Sequence, residues 1–183
     1  MGTKVSKLKA AVISEVENLS PRVRRIRLSG PSMVGFDWSP GDKIKVEAGD
    51  KLRSYTPGRV DPVAGWMDVI FFLHGNGQAS RWAAKAEVGE AVNYVGPTKS
   101  MPGASETPDW ALFMGDETTI GLAAALLESL PETTQTFGAI ELDEPDVPSV
   151  ANFGLTLDTV IRKVFCGEAL VEWMETFNLP EGK

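Results

Sequence analysis

Two short segments of the sequence combine residue types that bind a flat ligand carrying phosphate. The first is Arg53-Ser54-Tyr55-Thr56, which has the composition of a strand. Because alternate residues of a strand face the same side, Arg53 and Tyr55 share one face, and Ser54 and Thr56 share the other. An arginine binds phosphate through a planar fork of donors, and a tyrosine ring packs flat against an aromatic ligand. A plain strand with a surface arginine explains the same residues, so this segment alone leaves both interpretations open.

The second segment is a glycine turn that leads into a helix. Gly75 and Gly77 let the backbone approach a ligand closely, and the first amides of the following helix have no partner inside it. Since these amides also lie at the positive end of the helix, the sequence predicts a pyrophosphate site, with Ser80 as a further hydroxyl donor. The alternative is a glycine turn into an amphipathic helix, with His74 and Trp82 in packing roles. The segment reads His74-Gly75-Asn76-Gly77-Gln78-Ala79-Ser80-Arg81-Trp82.

The elements that carry these two segments are predicted to form a six-stranded antiparallel β-barrel over residues 1–97. In the stretch 23–28, Ile26 and Leu28 alternate with Arg25 and Arg27, which is the period of a half-buried strand. Several such strands separated by turn residues favour a small barrel. The predicted strands are 10–16, 23–28, 43–47, 52–56, 66–74 and 91–95, with one helix over 78–87.

Strand and helix patterns alternate in the second half of the chain, after a Pro- and Gly-containing linker predicted over 98–108. The run from Trp110 to Met114 is continuously apolar, as expected for a strand buried on both faces. The alternation predicts a small parallel α/β domain over 109–183, so the expected fold class is α+β with two domains. The expected strands are 110–114, 134–142 and 162–166, and the expected helices are 118–130, 155–161 and 167–177.

Composition limits the classes of function. The net charge of −7 disfavours nucleic-acid binding, which needs a basic surface. The sequence has neither an apolar run long enough for a membrane helix nor a secretory leader pattern, so we expect no stable membrane insertion. The single cysteine, Cys166, excludes an intramolecular disulfide and favours the cytoplasm; because it follows an apolar run, we expect it to be buried and inert. With one histidine and one cysteine, we expect no metal site.

Five motifs, in order along the chain, resemble those of a known family. Residues 53–59 are similar to its R-x-Y-T-P-x-R, and residues 74–83 are similar to its H-G-x-x-G-P-A-S-x-W-A, with Gln78 in place of proline. Gly96-Pro97 lies where the family ends its barrel, and D-E-T at Asp116 and G-E-A at Gly167 match two later motifs. On these residues the chain resembles the siderophore-interacting, FAD-binding proteins, a branch of the ferredoxin-reductase-like enzymes.

The resemblance implies an FAD-dependent ferric-siderophore reductase. NADH or NADPH would pass a hydride to FAD, and the reduced flavin would pass single electrons to siderophore-bound iron(III), so that iron(II) is released. The flavin ring would lie at Tyr55 and Thr56, with Thr56 as the catalytic contact, and the nicotinamide nucleotide would meet the turn at 115–119. The implied cofactor-binding residues are Arg53, Ser54, Tyr55, Thr56, Arg59, His74, Gly75, Gly77, Gln78, Ala79, Ser80, Trp82, Asp116, Glu117, Thr118 and Thr119.

Other functions stay open. Gly121 stands where the family carries proline, beside the nicotinamide turn, and the second half of the chain is shorter than in the family. These departures favour a ferredoxin as donor, or a flavin- or siderophore-binding module whose nicotinamide domain does not work. A general NAD(P)H flavin reductase is a further alternative.

Two sets of basic residues either steer an anionic ferric siderophore or form solvated faces. They are Arg22, Arg24, Arg25 and Arg27 on one strand, and Lys43, Lys45 and Lys51 near the first segment.

Overall fold

The computed structural model of the chain describes residues 7–101, 108–178 and 180. Its strands are β1 (Lys9–Asn18), β2 (Val23–Ser29), β3 (Lys43–Ala48), β4 (Lys51–Tyr55), β5 (Arg59–Asp61), β6 (Trp66–Phe72), β7 (Ala91–Thr98), β8 (Trp110–Asp116), β9 (Gln135–Leu142) and β10 (Asp158–Ile161). Its α-helices are α1 (Gln78–Lys85), α2 (Ile120–Leu127), α3 (Pro148–Asn152) and α4 (Glu168–Thr176).

The first seven strands form one curled antiparallel sheet in the order β4-β3-β7-β1-β2-β6-β5. All six strands expected in this half are present. The seventh, β5, is not expected from the sequence because it is only three residues long and follows Pro57-Gly58, which leaves no alternation to detect. Strands β4 and β5 lie at the two ends of the sheet, and no ladder joins them among the described residues, so the sheet is a half-barrel.

Alternation within the strands accounts for the core of the half-barrel. Along β2, Val23, Ile26 and Leu28 are buried, whereas the arginines between them are partly exposed. Each large apolar side chain buried in this way contributes about 1.5–3 kcal/mol to folding. Helix α1 covers the sheet and buries Ala83 in the same core. The largest fully buried side chains of this core are Ile13, Ile26, Leu28, Met33, Ile44, Met67, Phe71 and Tyr94.

Strands β8, β9 and β10 form a second, parallel sheet in the order β10-β9-β8, with helices packed against it. The expected α+β fold class is therefore confirmed. The prediction that the strand beginning at Trp110 is buried on both faces is wrong, because β8 lies at an edge of the sheet and Met114 is 44% exposed. The central strand is β9, in which Ala139, Ile140 and Leu142 are fully buried.

Two elements near the end of the chain differ from those expected. The third parallel strand is Asp158–Ile161, within the stretch expected to be helical, and residues 162–166 form a loop. The β-branched residues Thr159, Val160 and Ile161 favour the strand, since their side chains fit a pleated surface better than a helix. Because the following loop is outside the sheet, Cys166 is exposed, so the expectation of a buried cysteine is also wrong.

The two sheets share a second hydrophobic core. Ile70 of β6 packs in one cluster with Ile120 of α2, Ile140 of β9 and Phe153, which follows α3. Polar contacts reinforce this junction, because Arg22 donates to Asp146 through Nε at 2.7 Å and also pairs with Asp143. The half-barrel therefore packs against the parallel sheet through α2 and the segments next to it.

The domain boundaries expected at residues 97 and 109 stay a prediction. Residues 102–107 of the expected linker lie outside the described residues. Within the described ranges, no helix is both long and apolar enough to cross a membrane.

The buried carboxylate of Asp68 gives a test of how the half-barrel is held together. Asp68 is fully buried and accepts from Arg25 Nη1 at 3.1 Å and from Arg27 Nε at 2.8 Å. We expect Asp68→Asn to lower the free energy of unfolding by about 3 kcal/mol, because it leaves both guanidinium groups without their buried counter-charge. Urea denaturation measures the loss. Asp37→Asn is the control, since Asp37 is 90% exposed, and a loss of similar size in both variants would contradict the prediction.

Candidate functional site

A cleft of about 560 Å³ lies where the half-barrel meets the N-terminal end of α2. Strand β4 and the turn before α1 form one side of it, and the outer face of β6 and the start of α2 form the other. The residues that line the cleft are Lys43, Arg53, Ser54, Tyr55, Thr56, Ile70, Phe72, His74, Gly77, Gln78, Ala79, Ser80, Thr118 and Gly121.

The register of β4 explains how its side chains are presented to the cleft. Tyr55 lies opposite Ile44, and Arg53 lies opposite Val46, so these two residues share the face that carries buried apolar side chains of β3. The Tyr55 ring packs on Phe71 with 4.5 Å between ring centroids, which fixes it at the wall of the cleft. Arg53 is exposed and makes no ion pair with a described residue, so its guanidinium is free to bind an anion.

The turn before α1 leaves the helix N-terminus open toward the cleft. Gly77 is the N-cap residue and has no side chain to accept from the first amides of the helix. A Cβ atom placed on Gly77 would meet no atom within 4 Å, so space is available for a ligand. The Ser80 hydroxyl, in contrast, donates to the carbonyl of His74 at 3.1 Å and so helps to fix the turn. The backbone amides are therefore the main donors that this turn offers to an anion.

Three residues expected to bind the flavin lie outside the cleft: Arg59, Gly75 and Trp82. Arg59 donates through Nε to Glu128 at 2.8 Å and through Nη2 to the carbonyl of Phe153 at 2.9 Å, so its guanidinium belongs to the junction between the sheets. Trp82 packs on Phe71, with 5.4 Å between ring centroids, and donates through Nε1 to Glu90 at 3.0 Å. Arg59 and Trp82 therefore have packing roles, which for Trp82 is the alternative that the helix pattern left open.

Of the expected nicotinamide residues, only Thr118 lines the cleft. The Asp116 carboxylate accepts from the Thr118 backbone amide at 2.9 Å, and the Thr119 hydroxyl donates to the Asp116 carbonyl at 2.7 Å. Glu117 is 4% exposed and is paired with Arg162. Asp116, Glu117 and Thr119 are therefore occupied by contacts within the chain.

Four lining residues were absent from the predicted set: Lys43, Ile70, Phe72 and Gly121. Ile70 and Phe72 are two residues apart on β6, so the period that identified the strand places both on one face. His74 follows the strand, and its ring stacks on Phe72 with 5.6 Å between ring centroids. Gly121 lines the cleft for a different reason: its backbone packs closely on Thr56, and a Cβ atom there would lie 2.6 Å from the Thr56 carbonyl oxygen. That contact brings α2 against the end of β4, and it depends on the packing of the two sheets.

The two basic sets differ in how far they are neutralised. Arg25 and Arg27 share Glu15 and Asp68, and Arg22 pairs with two carboxylates, so three of the four arginines are neutralised. The fourth, Arg24, donates to the carbonyl of Ala83. The Arg25 guanidinium holds the pKa of Glu15 below its usual value. The members of the second set, which lie on β3 and β4 beside the cleft, are exposed and make no ion pair with a described residue; they are Lys43, Lys45 and Lys51.

The cleft fits a flavin dinucleotide in three respects. Its volume suits a ligand of that size, since ligand sites commonly span about 300–1,000 Å³. An uncapped helix N-terminus and the free guanidinium of Arg53 are suited to a diphosphate. The Tyr55 ring and the apolar side chains of β6 provide flat, water-excluding walls.

Residues 45–101 match the family model of the siderophore-interacting FAD-binding domain. Over this segment, which is less than half of the chain, the protein is similar to that family. The expected resemblance is thus confirmed, and the matched residues include β4, β6 and α1 of the cleft.

A curated relative of the chain is the ferric vibriobactin reductase ViuB of Vibrio cholerae. It is 26% identical over an alignment of 151 positions, which covers 69% of this chain and 55% of that protein. The chain therefore spans about half the length of this relative.

Solved structures share the fold of the chain. The siderophore-interacting protein SipS from Aeromonas hydrophila matches with a TM-score of 0.77 and 22% identity, covering 97% of this chain and 77% of that chain. The ferredoxin reductase in carbazole 1,9a-dioxygenase matches with a TM-score of 0.72 and 17% identity, covering 85% of this chain and 49% of that chain. At these identities the similarity shows the fold alone, which is the ferredoxin-reductase type expected from the motifs.

The buried phenol of Tyr55 gives a pH-dependent prediction for the wall of the cleft. Burial raises the pKa of Tyr55 from 10.0 to about 12. The folded state therefore keeps a proton that the unfolded state loses near pH 10, so this contribution to stability is complete below pH 10 and is lost as the pH rises toward 12. Over that pH range we expect the free energy of unfolding to fall less in the Tyr55→Phe variant than in the unaltered chain. Urea denaturation as a function of pH measures this.

A phenolate titration checks the same prediction directly. Tyr94 is the only other tyrosine, so in the Tyr94→Phe variant all phenolate absorbance comes from Tyr55. A phenolate that appears at the ordinary pKa in the folded Tyr94→Phe variant would contradict the placement of Tyr55.

Proposed function

We propose that the chain binds FAD in the cleft and reduces iron(III) held by a siderophore. The observation that carries the proposal is that Arg53 and the uncapped N-terminus of α1 both border the same cleft. A phosphate placed between them receives both a side-chain fork and backbone amides. The family match at residues 45–101 supports FAD as the ligand.

Each lining residue has a defined role in this proposal. Arg53 and the amides from Gly77 to Ser80 bind the diphosphate, and Tyr55 packs against the ring system. Thr56, at the end of β4, hydrogen-bonds the reactive edge of the ring through its backbone or hydroxyl. A bound flavin supplies the ability to accept a hydride and to release electrons one at a time.

An anionic ferric siderophore suits the free cations beside the cleft. Lys43, Lys45 and Lys51 are exposed and unpaired among the described residues, although the whole chain carries a net charge of −7. Such a local cationic area attracts anions and raises their rate of encounter. The vibriobactin reductase relative supports this substrate class. Iron(II) binds hard oxygen ligands less strongly than iron(III), so reduction would release the metal.

The proposed electron donor is NADH or NADPH, with a ferredoxin as the alternative. A ferredoxin has support from the lysines, since an acidic protein surface would match them by charge. A general NAD(P)H flavin reductase would use the same cleft and would not distinguish a siderophore from another iron chelate.

The test of the phosphate site compares two arginines. We expect Arg53→Ala to weaken FAD binding by about tenfold or more, because it removes a charge-assisted pair of hydrogen bonds from a phosphate. Arg59→Ala is the matched control, since Arg59 is six residues away in sequence but is bound by Glu128 and Phe153 outside the cleft. Fluorescence titration of flavin measures both affinities. Equal loss in the two variants would contradict the placement of the diphosphate.

A second variant separates backbone donors from the hydroxyl at the glycine turn. We expect Ser80→Ala to weaken FAD binding by less than Arg53→Ala, because the Ser80 hydroxyl already donates to carbonyls of the chain. The same titration measures it. A larger loss than that of Arg53→Ala, with an unchanged unfolding midpoint, would assign the hydroxyl to the ligand.

Absorbance spectroscopy tests the activity itself. We expect the purified chain, loaded with FAD, to lose its flavin band when NADH or NADPH is added without oxygen, and to regain it when a ferric siderophore is added. Ferric citrate and ferric EDTA are the comparison substrates. Equal reoxidation by all three would favour a general flavin reductase, and failure to take up FAD would overturn the proposal.

A further inference from the structure

The carboxyl edge of the three-stranded parallel sheet is the place where α/β folds usually bind nucleotides. In this protein, charged side chains of the chain itself occupy that edge. Glu117 follows β8, Asp143 follows β9, and Arg162 follows β10, so each strand places a charge there. Glu141, near the end of β9, adds a carboxylate that is 2% exposed.

The first helix N-terminus at this edge is capped by Asp116. Its carboxylate accepts from the Thr118 backbone amide at 2.9 Å and from the Thr118 hydroxyl at 2.6 Å. The Thr118 amide lies in the 3-10 turn Glu117–Thr119 that leads into α2, where a nucleotide phosphate would bind. A carboxylate of the chain therefore already occupies the position of a bound anion.

The second helix N-terminus is occupied in the same way by Glu141. Its two carboxylate oxygens accept from the backbone amide of Gly167, the N-cap residue of α4, at 3.0 and 2.8 Å. Glu141 comes from the neighbouring strand rather than from the helix, so the contact depends on the parallel packing of the sheet. It places a buried negative charge at the positive end of α4.

The two terminal nitrogens of Arg162 are engaged by the same group of carboxylates, whereas its buried Nε makes no hydrogen bond with a described residue. Its Nη1 donates to Glu117 at 3.0 Å, its Nε lies 3.5 Å from Glu141, and its Nη1 lies 3.6 Å from Asp143. The Glu117 carboxylate raises the pKa of Arg162, which therefore stays charged. No guanidinium at this edge is left to bind a phosphate among the residues described.

The balance of charge also opposes a phosphate. Two arginines face five carboxylates at this edge, so the surplus is negative; the arginines are Arg22 and Arg162, and the carboxylates are Asp116, Glu117, Glu141, Asp143 and Asp146. Across the described parts of the chain, no three His, Cys, Asp or Glu side chains are grouped so as to hold a metal ion that would offset the surplus. A diphosphate brought to this edge would meet like charge.

We propose that Asp116 and Glu141 are built-in anions that replace the phosphates of a nicotinamide dinucleotide at this edge. The expected dinucleotide site at the turn 115–119 therefore does not fit its ligand. The reductant is instead recognised by its nicotinamide half alone, at the mouth of the cleft near Thr118 and Gly121. Helix α1, on the half-barrel, has no acidic residue in its first turn and remains open to a diphosphate. The part of the inference that concerns the reductant rests on the proposed flavin function, whereas the part that concerns the sheet edge does not.

Backbone amide NMR tests the sheet edge. We expect inorganic pyrophosphate to shift the amide signals at Gln78, Ala79 and Ser80 in the flavin-free chain, and to leave those of Thr118 and Gly167 in place. The α1 signals serve as the positive control within the same sample. Saturable shifts at Thr118 and Gly167 with pyrophosphate or NADPH would overturn the inference.

Kinetics tests the recognition of the reductant. We expect NADPH, NADH and reduced nicotinamide mononucleotide to bleach the bound flavin with second-order rate constants within about threefold of one another, and without saturation, because the adenosine and its phosphates make no attractive contact. A larger advantage for either dinucleotide, with saturation, would overturn the inference.

The two experiments separate failure of this inference from failure of the proposed function. A chain that takes up no FAD overturns the flavin function, yet the NMR result at Thr118 and Gly167 still decides the state of the sheet edge. A chain that binds FAD but shows saturable NADPH binding at those amides keeps the flavin function and loses the inference.

Discussion

The cleft depends on one packing constraint, which is the direct contact of α2 with the end of β4. Gly58 and Gly121 allow it, because a Cβ at Gly58 would lie 2.7 Å from the Phe153 ring, and one at Gly121 would lie 2.6 Å from the Thr56 carbonyl. Real Cβ atoms do not approach other atoms so closely, so larger residues would push the two sheets apart. The second hydrophobic core, which both sheets share, lies behind this contact and holds it in place.

The same packing decides which charges are free. Arg22 reaches across the junction to Asp143 and Asp146, and Arg59 reaches Glu128, so both guanidinium groups stabilise the contact between the sheets rather than face a ligand. Exposed cations that make no ion pair with a described residue include Lys43, Lys45 and Lys51 on β3 and β4, and Lys85 at the end of α1. An acidic chain thus keeps a local basic area beside its cleft, where an anionic cofactor or substrate would benefit from it.

The backbone amides ahead of the helices have different partners in the two halves of the molecule. Helix α1 starts at a glycine with no capping side chain, whereas carboxylates of the chain occupy the amides at Thr118 and Gly167. An uncapped N-terminus is available to a phosphate, and a capped one is not. This contrast supports a division in which the half-barrel binds a dinucleotide, and the parallel sheet supports the cleft without binding phosphate itself.

The sequence by itself determined six of the seven half-barrel strands, the fold class and the segments on either side of the cleft, because alternation, glycine turns and the motif at Arg53 are local signals. It failed where a local signal fits two structures: the stretch at Asp158–Ile161 was expected to be helical, and Cys166 was expected to be buried. Only the tertiary structure decided that Arg59 is bound by Glu128, that Gly121 meets Thr56, and that Glu141 caps α4. Each of these contacts joins residues more than twenty positions apart, and the periodicity of a single segment carries no information about such partners.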